Sequence, residues 1–174
     1  MQTVIDQRPV PSAPHLTVAA ADYADPLDAA DVVLLTDAYA RDPMGGGVPL
    51  APEVTSRLVA GLAAAPGAFS LIARVDGRPA GIANCMAGFS TFAALPLVNV
   101  HDMGVMPEYR GRGVGKALLD AIEDEARVRG ACKITLEVLS GNRPAQSLYA
   151  ALGYGPYALE AEAGTAQFWE KKLP

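Results

Sequence analysis

Apolar and polar positions along this chain repeat with a helical period at first, then a strand period, then mostly a helical one again. Leu27, Ala30, Val33, Leu34 and Ala38 recur at the spacing of one helix face. Asp25 supplies an N-cap for that helix, and Pro26 takes the first helical position, where a missing N–H costs nothing. Asp42-Pro43 ends the run, and residues 44–49 form a Gly-rich loop. A second stripe of Val54, Leu58, Leu62 and Ala65 predicts a helix over 52–65, stopped by Pro66-Gly67. From Phe69 the period falls to two. Strands are predicted over 69–75, 79–87 and 97–105, the first two joined by an Asp76-Gly77 hairpin turn and the next two by a loop over 88–96. The helical period returns over 113–130, with Val114, Ala117, Leu118, Ala121, Ile122 and Ala126 as its buried stripe. Residues 131–139 read as a strand, 142–152 as a short helix closed by Gly153, and 157–173 as one or two edge strands. A short strand over 15–21 precedes the first helix.

The resulting order, β-α-α-β-β-β-α-β-α-β(-β), predicts an α+β (mixed α/β) domain: a central, mixed, mostly antiparallel sheet flanked by helices. The sheet should change from antiparallel to parallel at the strand–helix–strand crossover near the third and fourth long strands. Neither a repeat nor a linker divides the chain, so residues 15–174 read as one domain behind a Pro-punctuated, flexible arm over 1–14. Hydrophobic residues make up 51% of the 174 and charged residues 19%, enough for a core and too little charge for disorder.

The net charge of -5 argues against phosphate-driven binding to nucleic acid. No apolar run approaches the ~20 residues of a membrane helix, and no secretion signal is seen over 1–14. Cys85 and Cys132 lack CxxC spacing, so no metal site or disulfide framework is expected. Both sit in apolar surroundings and read as buried, reduced thiols of a cytoplasmic protein.

Candidate chemistry concentrates between Asn99 and Tyr154. Val105-Met106-Pro107-Glu108-Tyr109-Arg110-Gly111-Arg112-Gly113-Val114-Gly115-Lys116 is a strand end, a glycine-rich turn and a helix start. A helix start leaves about four N–H groups unpaired and carries partial positive charge, so a phosphate or pyrophosphate is its natural guest. A P-loop is excluded, because Ala117 follows Gly115-Lys116 and Arg110 holds the earlier glycine position. The alternating Gly111, Gly113 and Gly115 do not make a dinucleotide fingerprint either. What fits is Arg-x-x-Gly-x-Gly, at Arg110, Gly113 and Gly115.

That segment resembles the acetyl-CoA-binding motif of the GNAT superfamily of N-acetyltransferases. A second segment, from Asn142 through Ala145, Leu148 and Tyr149 to Gly153 and Tyr154, is similar to the family's N-x-x-A-x-x-L-Y-x-x-x-G-[FY] signature at every named position. The resemblance covers roughly residues 69–157; the first 65 residues agree in element order alone. It implies a GNAT-like fold and acetyl-CoA as cofactor. It places Arg110, Gly111, Arg112, Gly113, Gly115 and Lys116 around the pyrophosphate, and the backbone of Met103 and Val105, at a strand bulge, along the pantetheine arm. Asn142 and Ser147 would flank the same arm, and Tyr149 would protonate the leaving thiolate.

An amine reaching a thioester at neutral pH must lose a proton. Strict alternation puts Asn99, His101 and Met103 on one strand face and Val98, Val100 and Asp102 on the other. Histidine is the side chain suited to proton transfer near neutral pH, so His101 is preferred as base. Asp102 is next, if a bulge turns it into the cleft, and Asn99 is a substrate contact. Asp42 is expected to attract a cationic amine, with Phe89 and Phe92 walling its apolar part. The implied reaction is acetyl transfer to the primary amine of a small molecule by direct attack. A protein or peptide amine, and a non-catalytic acyl-CoA sensor, are the alternatives. A homodimer is a family-level expectation.

Overall fold

The computed structural model describes residues 14–157, 164 and 166–173. Five strands form one sheet in chain order. β1 (Leu16–Ala20), β2 (Ala68–Val75), β3 (Arg78–Ser90) and β4 (Leu95–Val105) pair antiparallel, and β5 (Ile134–Leu136) runs parallel to β4. The change of direction falls where the crossover required it. α1 (Pro26–Arg41) and α2 (Pro52–Ala64) cover one face, while α3 (Val114–Val128) and α4 (Arg143–Ala151) lie on the other.

Both faces of the central strands are therefore buried. Phe69, Leu71, Ala73 and Val75 of β2 enter the core under α3, and Ile72 enters the core under α1 and α2. That is why this run reads as almost continuously apolar. Asp25 caps α1 as expected, accepting from the N–H groups of Leu27 and Asp28 at 2.8 and 3.0 Å. The buried face of α1 is a different one from the predicted stripe, however. Val32, Leu35 and Thr36 are buried, while Leu27 and Leu34 are exposed. Arg74 of β2 explains the rotation: it donates to Asp28 and Asp31 at 2.7 and 2.5 Å, turning that side of α1 onto the sheet. On α3, Leu119 joins Val114, Leu118, Ile122 and Ala126 in the core, and the expected Ala117 and Ala121 are half-buried.

Three spans differ from the sequence expectation. The β3–β4 hairpin continues to Ser90 and Leu95, so most of the loop predicted over 88–96 is strand. Pro96 is tolerated there because it lacks a donor only; its carbonyl accepts the Cys132 N–H at 2.8 Å. The strand predicted over 131–139 shortens to Ile134–Leu136, since β4 offers it a ladder over Val98, Asn99 and Val100 alone. The arm over 1–13 and part of 157–173 lie outside the described residues; those described in the latter span are in no strand.

Cys85 is fully buried, which pushes its thiol up to about 12, whereas Cys132, expected to be buried, is exposed beyond the end of α3. A small disulfide reagent should titrate one thiol in the native protein and the second after unfolding. Two thiols reacting at equal rates in the native state would contradict this burial.

Candidate active site

The ladder between β4 and β5 stops at Val100 and Leu136, yet β4 runs on to Val105. The two strands part there, leaving the β5-side edge of β4 over residues 101–105 without a strand partner among the described residues. A β-bulge lies at the parting. Asn84 faces Asp102 and Cys85 faces Val100, so His101 has no cross-strand partner. One extra residue reverses the alternation. Met103 and Val105 join Val98 and Val100 against the α3 core, whereas Asp102 and Gly104 face α1. The period-two assignment, which grouped Met103 with His101 and Asp102 with Val100, is corrected by that shift.

His101 is exposed at the bulge, and its imidazole makes no hydrogen bond among the described residues. Asp102 is half-buried, and its Oδ2 accepts from Nδ2 of the buried Asn84 at 3.3 Å. Asn99 donates to Oγ1 of Thr135 at 3.1 Å and turns toward Glu137, which stands just beyond β5 across the parting. Tyr39 of α1 lies directly on Gly104, where a Cβ would sit 2.8 Å from the tyrosine Cβ. Burial, then the charges of Asp102 and Asp42, push its phenol up. Burial, and after it Tyr39, do the same to Tyr149 of α4, whose ring lies 6.0 Å from that of Tyr154. Tyr149 is thus a protonated donor across the neutral range. Two phenols from opposite faces of the sheet come within electrostatic reach of each other, with Asp102 beside the first.

At the end of β4 the chain makes a single 3-10 turn, Pro107–Tyr109, and then the glycine turn. Gly111 and Gly113 adopt φ of +72° and +83°, a conformation that side chains disfavour, and a Cβ on either would meet open space. α1 and α4 begin under side-chain caps from Asp25 and Asn142, while α2, after Ala51, and α3, after Gly113, begin with none. Among the described residues, the N–H groups of residues 111–116 have no protein acceptor. A row of unpaired amides at a helix start, approachable through glycines, fits a diphosphate. Arg112 lies over the Tyr109 ring at 5.9 Å, and Lys116 pairs with Asp120 on the exposed helix face.

Two expected contacts meet each other instead. Arg110 donates to Asp42 at 2.6 Å and to the Val105 carbonyl at 3.0 Å. The second carboxylate oxygen of Asp42 accepts the Met44 N–H at 2.7 Å, and its main-chain carbonyl accepts the N–H groups of Gly45, Gly46 and Gly47. The Met44 amide, then Arg110, hold this carboxyl below the usual carboxylate range. Asp42 is therefore not open to a cationic amine, and the glycine run is a bonded turn. Asn142 spends its side-chain oxygen on the Ala145 N–H at 3.3 Å, and Ser147 is exposed on α4. Phe89 and Phe92 stand at the β3–β4 hairpin tip, 63% and 100% exposed. The strand from there to Asp102 spans roughly 20 Å at about 3.3 Å per residue, so neither borders the parted strands.

Sequence reasoning missed Tyr39, Asn84 and Glu137. Asn84 carried a signal, an amide inside the apolar run Gly81-Ile82-Ala83-Asn84-Cys85. Tyr39 and Glu137 carried none.

The family profile described as Acetyltransferase (GNAT) matches residues 35–154, which include the bulge, the glycine turn and α4. The chain belongs to the GNAT acetyltransferase family. Its members use acetyl-CoA. Mycothiol acetyltransferase of Beutenbergia cavernae is 38% identical over 65 residues, 37% of this GNAT chain and 22% of that protein. The ribosomal protein bS18 alanine N-acetyltransferase of Escherichia coli is 37% identical over 70 residues, 40% of this chain and 47% of the relative. The matches thus span between about a fifth and a half of these curated relatives. An aminoglycoside N-acetyltransferase solved with CoA superimposes with TM-score 0.70 at 19% identity, over 94% of this chain and 99% of that one. A ribosomal-protein-alanine N-acetyltransferase from Brucella melitensis does so with TM-score 0.63 at 23% identity, over 84% and 99%. Likeness at such identities establishes the GNAT fold alone.

Proposed function

We propose that this chain transfers the acetyl group of acetyl-CoA to the primary amine of a small molecule by direct attack. The observation that carries this is the uncapped, glycine-lined start of α3 beside the parting of β4 and β5. When bound, acetyl-CoA supplies an activated thioester. The amides of residues 111–116, with Arg112 and Lys116, bind the diphosphate. The open edge of β4 at Met103 and Val105 orients the pantetheine arm as an added strand would. Asn142, through its amide hydrogens, and Ser147 stand on the α4 side of that arm. Arg110 acts at one remove, bracing the loop after α1 against the glycine turn through Asp42.

The acceptor reacts as the neutral amine, its ammonium proton having passed to solvent, and Asp102 takes the proton released by the nitrogen as the N–C bond forms. Tyr149 gives its phenolic proton to sulfur as the C–S bond breaks, and the proton on Asp102 returns to the phenolate through solvent. Products and protons then balance: an amide, a thiol and an unchanged enzyme. Asp102 is assigned as base over His101 because a hydrogen bond fixes its carboxylate, while His101 lies exposed and unheld. Asn99 and Glu137 line the acceptor side.

Acetyl-CoA at a hundred times its Kd should stabilise the fold by about 2.7 kcal/mol. That raises Tm by about 5–10 °C for a chain of this size, and ATP should have no such effect. An unshifted Tm at saturating acetyl-CoA would remove the cofactor claim. Thiol release over a panel of aminoglycosides, simple amines and alanyl peptides then sorts the acceptor. Turnover confined to peptides would replace the small-molecule assignment, and binding without thiol release on any amine would favour an acyl-CoA sensor.

A further inference from the structure

Asn84 is 1% exposed, in the middle of an apolar strand, where a Val or Ile would pack without any polar demand. Its amide is fully used. Oδ1 accepts from the Ser70 hydroxyl at 2.6 Å, and Nδ2 donates to Thr36 Oγ1 at 3.2 Å and to Asp102 Oδ2 at 3.3 Å. Ser70 in turn lies 2.9 Å from the Tyr23 hydroxyl.

The chemistry of these groups gives the chain one direction. An ionised carboxylate only accepts, so the NH₂ side of Asn84 must face Asp102. Oδ1 must then face Ser70, whose hydroxyl hydrogen is committed to it. Tyr23 is left as the donor to Ser70. Hydrogens therefore run Tyr23 to Ser70 to Asn84 to Asp102, and every member sits on the α1 side of the sheet. The bulge that turns Asp102 onto this side lies directly opposite Asn84.

We infer that Asn84 is a positioning residue for acetyl transfer: it holds one carboxylate oxygen of Asp102 through a directed chain from Tyr23 and Ser70, leaving the other to receive the proton of the acceptor amine. This rests on the base role proposed for Asp102.

The test compares Asn84→Leu, Ser70→Ala, Asp102→Asn and the pairs of Asp102→Asn with each of the first two, by steady-state kinetics on the best acceptor amine. Asn84→Leu should lower kcat about ten- to a hundredfold with the KM for acetyl-CoA unchanged, because a misplaced base slows proton removal and leaves cofactor binding alone. In the Asp102→Asn background the same change should cost little more, since Asn84 then has no carboxylate to hold. Ser70→Ala, which frees the amide to flip, should give the same pattern more weakly, and it serves if Asn84→Leu does not fold. Equal losses in both backgrounds, or a raised KM for acetyl-CoA with kcat intact, would overturn the positioning role while Asp102 stays the base. Full turnover in Asp102→Asn alone would instead remove the base, and this inference with it.

Discussion

Tyr149→Phe should lower turnover about a hundredfold or more while the affinity for acetyl-CoA stays as it was. In the proposed mechanism this phenol, on the α4 side of the parting strands, is the acid that meets the leaving sulfur. Its ring is half-buried against the α3 core and beside Tyr154, so removing one oxygen leaves the packing intact. Burial, and secondly Tyr39, hold the group protonated beyond its ordinary value of 10.0. The proposed acid role needs the protonated form, and a raised pKa extends that form toward higher pH. Loss of turnover through Tyr149 deprotonation therefore belongs above pH 10, outside the physiological range. Kinetics of the two proteins between pH 6 and pH 10, with acetyl-CoA affinity read separately by thermal shift, check both parts. Unimpaired turnover in the Phe variant ends the acid role; an alkaline decline between pH 7 and pH 9 that vanishes in the variant would show that the phenol titrates where burial forbids it.

Gly104→Val should be the most damaging single change to the architecture of the site. A Cβ at this position would lie 2.8 Å from Cβ, 3.2 Å from Cγ and 3.3 Å from Cδ2 of Tyr39. The Tyr39 Cβ is fixed by the helix backbone, so no rotamer change clears the 2.8 Å contact, and α1 must lift from β4. Overpacking of this kind costs about 1–3 kcal/mol, and the branched Val belongs at the upper end. For a chain of this size that lowers Tm by roughly 5–10 °C. Gly104→Ala should show a smaller loss of the same sign. Calorimetry of the two variants is sufficient, and an unchanged Tm for Gly104→Val would mean that α1 does not rest on β4 as described. Because Tyr39 moves with α1, residual acetyl transfer in the Val variant should fall further than its stability alone explains.

The glycine turn and the helix after it were legible in the residues because the information is local. Positive φ at Gly111 and Gly113, the missing cap on α3 and the apolar stripe behind it are all set by neighbours within a turn or two. The second motif was legible for the same reason, with Asn142 as an N-cap and Tyr149 on the partly buried face of a short helix. The buried side of α1 was not legible. An arginine on β2 chose it, and two aspartates that look like surface residues became its anchor. Asp42 and Arg110 show the same limit. Each looked like a free charge for a ligand, yet they lie 68 positions apart in sequence and neutralise one another.

The sequence by itself determined the order of elements, the antiparallel-to-parallel switch, the glycine turn before α3 and the phenol on α4, because periodicity and turn chemistry are properties of short stretches. Tertiary structure alone decided which residues of β4 face α1 and which face α3. A single unpaired position, His101, reverses the alternation, and the bulge exists only in the register between β3 and β4. That register brings Asn84 to Asp102 across 18 positions of chain, and it is fixed by how whole strands pack rather than by any residue's neighbours.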